Sequence, residues 1–136
     1  MAHFSDYMED KIVNAILRGQ SLVAPSTIYV ALFTSDPTDA NTGLELADSN
    51  YARVDAALGD AVSTGWTAPS NGQTSNAKLL QFPPIADGTV TITHVGLFDA
   101  ATGGNLLFHN ALTSTKTLEI GDVLSYDIGA INIAIR

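Results

Sequence analysis

VTITHVGLFDAATGGNLLFHNAL, residues 90–112, decides the fold class. It holds two runs of β-branched, aromatic and aliphatic residues around Asp99–Asn105, whose paired glycines and asparagine mark a turn. Such a unit reads as a β-hairpin. In the first run Val90 and Ile92 point one way, and Val95 and Leu97 the other. The alternation breaks near Thr93-His94, as it would at a β-bulge or an edge crossing.

The same grammar extends outward. Thr115–Ile120 and Val123–Ile128, separated by Gly121-Asp122, read as a second hairpin. Ile131, Ile133 and Ile135 alternate with Asn132, Ala134 and Arg136, which predicts a half-buried final strand. Thr27–Thr34 (TIYVALFT), bounded by Pro25 and Asp36-Pro37, is apolar on both faces and reads as a central strand. Residues 35–50, rich in Asp, Asn, Thr and Gly, read as a long exposed loop. Shorter strands are expected at Tyr51–Ala57, with charge on one face, and at Asn76–Phe82, ending at Pro83-Pro84. Gly65, Pro69 and Asn71-Gly72 punctuate the chain between them.

One segment has the helical period. Met8, Ile12 and Ile16, flanked by Val13 and Leu17, form one apolar stripe, so a helix is expected over about 6–18. Ser5 or Asp6 can cap it, and Asp6 with Glu9 has the spacing of a capping box. Gly19 supplies the stop. Seven or eight short strands and one N-terminal helix define a mainly β fold. The expectation is a single domain over 1–136, a β-sandwich or barrel (jelly-roll-like) with the helix on one side or end. No repeat period is present.

Composition narrows the function. Charged residues make up 15% of the 136-residue chain, against a usual share of about 25%. A small domain ordinarily covers its large surface with charge. This one uses Ser, Thr and Asn, and leaves surface for partners. The net charge is -8, and the six basic residues (Lys11, Arg18, Arg53, Lys78, Lys116 and Arg136) are scattered singly. Nucleic-acid binding, which needs clustered cations against phosphate, is therefore not expected. The chain has no cysteine, which excludes disulfides and thiolate metal sites. It shows no secretory signal and no apolar run long enough for a membrane span.

Residues with catalytic or ligating chemistry are few. His3, His94 and His109, with Asp99 near in sequence, are the raw material of a zinc site. They lack HxH or HxxxH spacing, and hydrogen bonding within a sheet explains His94 more simply. A serine with His94 or His109 and Asp99 or Asp127 lacks the GxSxG elbow of a hydrolase. Thr102-Gly103-Gly104-Asn105 precedes no helix, so it reads as a turn rather than a phosphate cradle. Asp36, Asp39, Glu45 and Asp48 are spaced oxygen donors without EF-hand spacing, and a solvated loop is favoured. No catalytic residue, metal ligand or cofactor is assigned. Trp66 admits two roles, an anchor for its own loop or a contact with a neighbouring subunit. Phe4, Tyr7, Tyr51 and Trp66 are the candidate interface residues, and Tyr51 and Trp66 would also be the platforms of a carbohydrate-binding module.

Four segments carry a family resemblance: FSDYMEDKIVNAILRG (4–19), STIYVALFTSDPTDANTGLEL (26–46), ITHVGLFDAATGGNLLFHNAL (92–112) and LEIGDVLSYDIGAINIAI (118–135). Together they resemble small tailed-bacteriophage structural proteins, often labelled tail fibre proteins, a group that includes capsid cement or decoration proteins. The resemblance spans nearly the whole chain. It implies a virion component made in the host cytoplasm and no catalytic motif. The absence of heptads or repeats favours a compact decoration protein on the capsid exterior over an axial fibre. On that expectation its partners are the major capsid protein and other copies of itself, with a trimer favoured. A tail fibre or baseplate component is the first alternative, and a carbohydrate-binding module for host attachment the second.

Overall fold

A computed structural model describes residues 2–135, so Arg136, the last position of the expected C-terminal alternation, lies outside the described residues. In chain order the elements are β1 (His3–Phe4), α1 (Asp6–Arg18), β2 (Tyr29–Phe33), β3 (Val54–Asp55), a single 3-10 turn (Val62–Gly65), β4 (Gln73–Ser75), β5 (Leu80–Gln81), β6 (Val90–Phe98), β7 (Leu106–Leu118), β8 (Ser125–Tyr126) and β9 (Asn132–Ala134). The fold is mainly β, with one α-helix and several antiparallel sheets.

The β6–β7 hairpin is its centre, as the sequence predicts. Asp99 closes the turn by accepting from the Asn105 backbone N–H at 2.7 Å and its side-chain amide at 2.9 Å. Gly103 and Gly104 supply the positive φ angles of the turn. The break at Thr93-His94 is a wide bulge. Ile92 pairs with Lys116, but His94 pairs with Ala111, so residues 112–115 of β7 stand opposite Thr93 alone. On the other side of β6, β2 pairs in unbroken register from Tyr29–Phe98 to Phe33–His94. With the short edge strands the order is β1-β7-β6-β2-β3.

Burial follows the period of two along β2. Val30 and Leu32 enter the main core with Ile92, Leu97, Leu80, Phe82, Leu124 and Ile133. Ala31 and Phe33 enter a second cluster with Phe98 and Leu106. This strand is buried on both faces, as its unbroken apolar run requires. Two small ladders, β4–β9 and β5–β8, bring Leu80, Ile131 and Ile133 to the main core. Asn76 is fully buried where these ladders meet. Its side chain donates to the carbonyls of Lys78 and Asp127 at 2.9 Å each and accepts from the Ile131 N–H at 2.8 Å.

The structure corrects two expectations, the second hairpin and the length of two strands, and decides between the two helix caps. The second hairpin forms only its turn, in which Asp122 N–H donates to the Glu119 carbonyl at 2.9 Å. The returning segment leaves β7 and pairs with β5, Phe82 N–H donating to Leu124 O at 2.9 Å. That route buries Leu124 beside Phe82 and Ile85. The helix cap is Ser5, whose Oγ accepts from Met8 N–H at 3.1 Å, so Asp6 opens the helix and the Asp6–Glu9 capping box does not form. Residues 35–50 form the long, mostly exposed loop expected, fastened at Pro37, Leu46 and Asp48, which are buried, and by a bridge between Phe33 and Glu45. Finally, only Val54–Asp55 and Leu80–Gln81 form strands within the two longer strands expected there.

Candidate interaction surfaces

The N-terminal arm is fixed at its root and bare along one side. Ser5 N–H donates to Leu107 O at 3.0 Å, and its hydroxyl donates to Leu106 O, so the helix start is tied to β7. Asp6 N–H donates to Asp39 O at 2.9 Å. From there α1 turns Met8, Ile12 and Ala15 partly inward, yet none of its residues is buried. The opposite side of the apolar stripe faces solvent, with Ile16 76% and Leu17 77% exposed beside Val13. Gly19, at φ 66°, ends the helix by donating to Asn14 O. The chain then continues through Leu22 and Val23, the latter 84% exposed. Among the described residues, no backbone hydrogen bond holds Ser21–Thr27 to the rest of the fold.

The histidines gather at the root of this arm. His3 pairs with His109 across β1 and β7, and their rings stack at 5.4 Å. His109 Nε2 lies 2.7 Å from Asp39 Oδ1, and His94 Nδ1 lies 2.8 Å from the Thr93 hydroxyl. Asp36 Oδ1 stands 3.8 Å from His94 Nε2 and 4.0 Å from His109 Nδ1. The Thr38 backbone N–H, joined by these histidines, holds the Asp36 carboxyl below its usual range. Asp99, the acid nearest in sequence, is occupied in the hairpin turn instead. Among the described residues, no three side chains are arranged to hold a metal ion. The cluster pins the 36–39 loop to the sheet, and through Asp39 it positions the first turn of α1.

The remaining acids of that segment work separately. Glu45 pairs with Arg53 at 2.8 Å and accepts from the Tyr51 hydroxyl. Burial alone would raise the Glu45 carboxyl, but these hydrogen bonds outweigh it and hold the group below its ordinary range. Arg53 lies 3.6 Å over the Phe98 ring and donates to the carbonyls of Ala100 and Gly103, locking the β6–β7 turn. Asp48 accepts from the backbone of Ala86 at 3.0 Å and Asp87 at 2.9 Å. Sequence inspection missed this wiring because its partners lie 6 to 50 residues apart.

A second surface adjoins β7. Its bulge and the segment 124–133 enclose a groove of about 530 Å³, lined among others by Phe108, Asn110, Thr113, Lys116, Tyr126 and Asn132. The Tyr126 hydroxyl is buried without a hydrogen-bond partner, and burial pushes its pKa up to about 12. On the outer edge of β7 the stretch Leu106–His109 is covered, by Ser5 and β1. Among the described residues, no strand pairs with the rest of that edge.

The four candidate interface residues are scattered. Phe4 packs on Phe108 at 5.0 Å and Tyr7, 38% exposed, sits under Lys11, both at the base of the arm. Tyr51 stacks on Phe82 inside the fold and accepts from Leu32 N–H at 3.1 Å. Burial raises its pKa well above the ordinary tyrosine value. Trp66 is half-buried against the main core.

Residues 3–134 match the family model described as Podophage GP4 fiber I protein gp80. The chain belongs to this family, one of phage tail fibre-type structural proteins, and is a virion component. The match bears out the resemblance to tailed-phage structural proteins seen in the sequence. No curated protein matches the chain. No helix of the described residues is long and apolar enough to cross a membrane.

Proposed function

We propose that this domain is a structural component on the tail side of the virion, joined to neighbouring subunits through its N-terminal arm, and that its role is assembly rather than catalysis. One observation carries the proposal: α1 is anchored at its first turn but presents Val13, Ile16 and Leu17 to solvent. Exposed contiguous apolar surface on a small domain marks a contact site. The fibre description of the family supports a tail position over the capsid exterior. The capsid cement role, with the major capsid protein as partner, has no comparable support. Glycan attachment is weaker still, because Tyr51 is engaged inside the fold and Trp66 packs on the core.

The test is localisation with a surface-null variant. Tagged protein in assembled particles is expected on the tail by cryo-EM, and density over the shell would return the cement role. Ile16→Asp with Leu17→Asp alters exposed positions, so the melting temperature should barely move while incorporation into particles falls at least about tenfold. Normal incorporation of that variant would show that the arm is not the joint.

A further inference from the structure

Two parts of the fold are left incomplete by the chain itself. The outer edge of β7 beyond His109 has free backbone groups beside a groove of about 530 Å³. An unpaired edge of this kind is a template for another strand. Residues 20–24, Gln-Ser-Leu-Val-Ala, form an exposed stretch outside any helix or strand, with apolar side chains facing solvent. We infer that these two features complete each other between copies: segment 20–24 of one copy lies along the outer edge of β7 in the next and extends that sheet by a strand. The inference rests on the reading of the arm as a contact surface, and it names the partner as a second copy of this chain.

Three observations favour that occupant. In its own copy the segment leads into β2, and β6 separates β2 from β7, so it does not serve its own edge. The charge pattern suits an approach between like molecules. Each copy carries -8, but residues 19–35 contain no charged residue and residues 110–118 contain only Lys116. The contact therefore brings no carboxylates of the two strands together, where other faces of two anionic copies repel. The area also suffices. Leu22, Val23 and the adjoining outward face of α1 offer on the order of 500 Å² per copy, near the lower end for specific contacts, which ladder hydrogen bonds then reinforce. Alternation along the strand sends Leu22 and Val23 to opposite faces, so one of them enters the groove. Because the arm and the edge are different surfaces, the contact is heterologous. It closes into a ring, such as the expected trimer, or continues as a filament.

The chain has no cysteine, so introduced thiols report cleanly. Val23→Cys and Thr115→Cys proteins, purified separately and mixed under oxidising conditions, are expected to cross-link together and far less within either preparation alone. Sedimentation of the unaltered chain should show concentration-dependent association. Thr115→Pro, which puts a proline into the strand at the contact, and Val23→Asp should each weaken it at least about tenfold. Val23 is exposed, so its variant decides the matter if Thr115→Pro does not fold. A monomer at every concentration, or cross-linking of Val23→Cys alone as efficient as the mixture, overturns the inference. Should copies fail to associate while the Ile16→Asp/Leu17→Asp variant still fails to enter particles, the arm meets a different virion protein. The assembly role then survives and the self-contact does not.

Discussion

Asn76 shows how much one polar side chain holds together in a small β domain. It is fully buried, and its amide joins the end of β4 to the carbonyls of Lys78 and Asp127 and to the N–H of Ile131. Alanine would leave the Lys78 carbonyl and the Ile131 N–H without partners, while the Asp127 carbonyl keeps the Ala130 N–H at 3.0 Å. Asn76→Ala is expected to cost about 2–4 kcal/mol, readable by chemical denaturation. A loss under 1 kcal/mol would mean that water replaces the amide. Glu45 contributes to acid sensitivity. Its folded pKa lies below the ordinary value of 4.5. Its contribution to stability is therefore complete above that pH and disappears as pH falls through the folded value. Melting temperature should drop on acidification, less steeply for Glu45→Gln than for the unaltered chain. Asp36 and Asp48 are shifted in the same direction, so a shallower acid limb remains. Identical limbs would remove Glu45 from the account.

At the scale of elements, local chemistry was legible and pairing was not. The β6–β7 turn, the bulge at Thr93-His94, the helix and the two-faced burial of β2 all follow from short-range pattern. The partner of residues 123–126 does not. Its turn is written in Glu119–Asp122, but the choice of β5 over β7 depends on where Leu124 finds a core. The same holds for residues 35–50, whose polar composition masks a loop folded tightly on itself. A Cβ at Gly43 would come within 2.3 Å of the Asp36 carbonyl oxygen and 2.6 Å of the Pro37 Cα, both backbone atoms. Gly43→Ala must open that loop and disturb Asp36 and Asp39, the supports of the α1 root. A destabilisation of about 2 kcal/mol or more is expected, with the chemical shifts of His94 and His109 moving by NMR. Unchanged shifts would show that the loop and the histidines are independent.

For the whole molecule the governing fact is a chain with little charge, most of it negative. Two copies repel at long range and attract where their uncharged, apolar surfaces meet. Screening weakens the repulsion, and the Debye length falls from about 30 Å at 0.01 M salt to about 10 Å at 0.1 M. Self-association measured by sedimentation should therefore strengthen over that range. Weakening would indicate a contact built on ion pairs.

The sequence alone determined that the domain is mainly β with one N-terminal helix, because periods of two and 3.6 residues and turn chemistry are local properties. Its family likeness, spread over most of the chain, was equally plain before any coordinates. Only the tertiary structure decided which surfaces remain open. An apolar helical stripe has the same pattern whether it faces a core or solvent. The gathering of His3, His94 and His109 with Asp36 and Asp39 depended on strands and loops far apart in sequence coming together. The bare side of the arm and the unpaired edge of β7 are consequences of packing, which no single segment encodes.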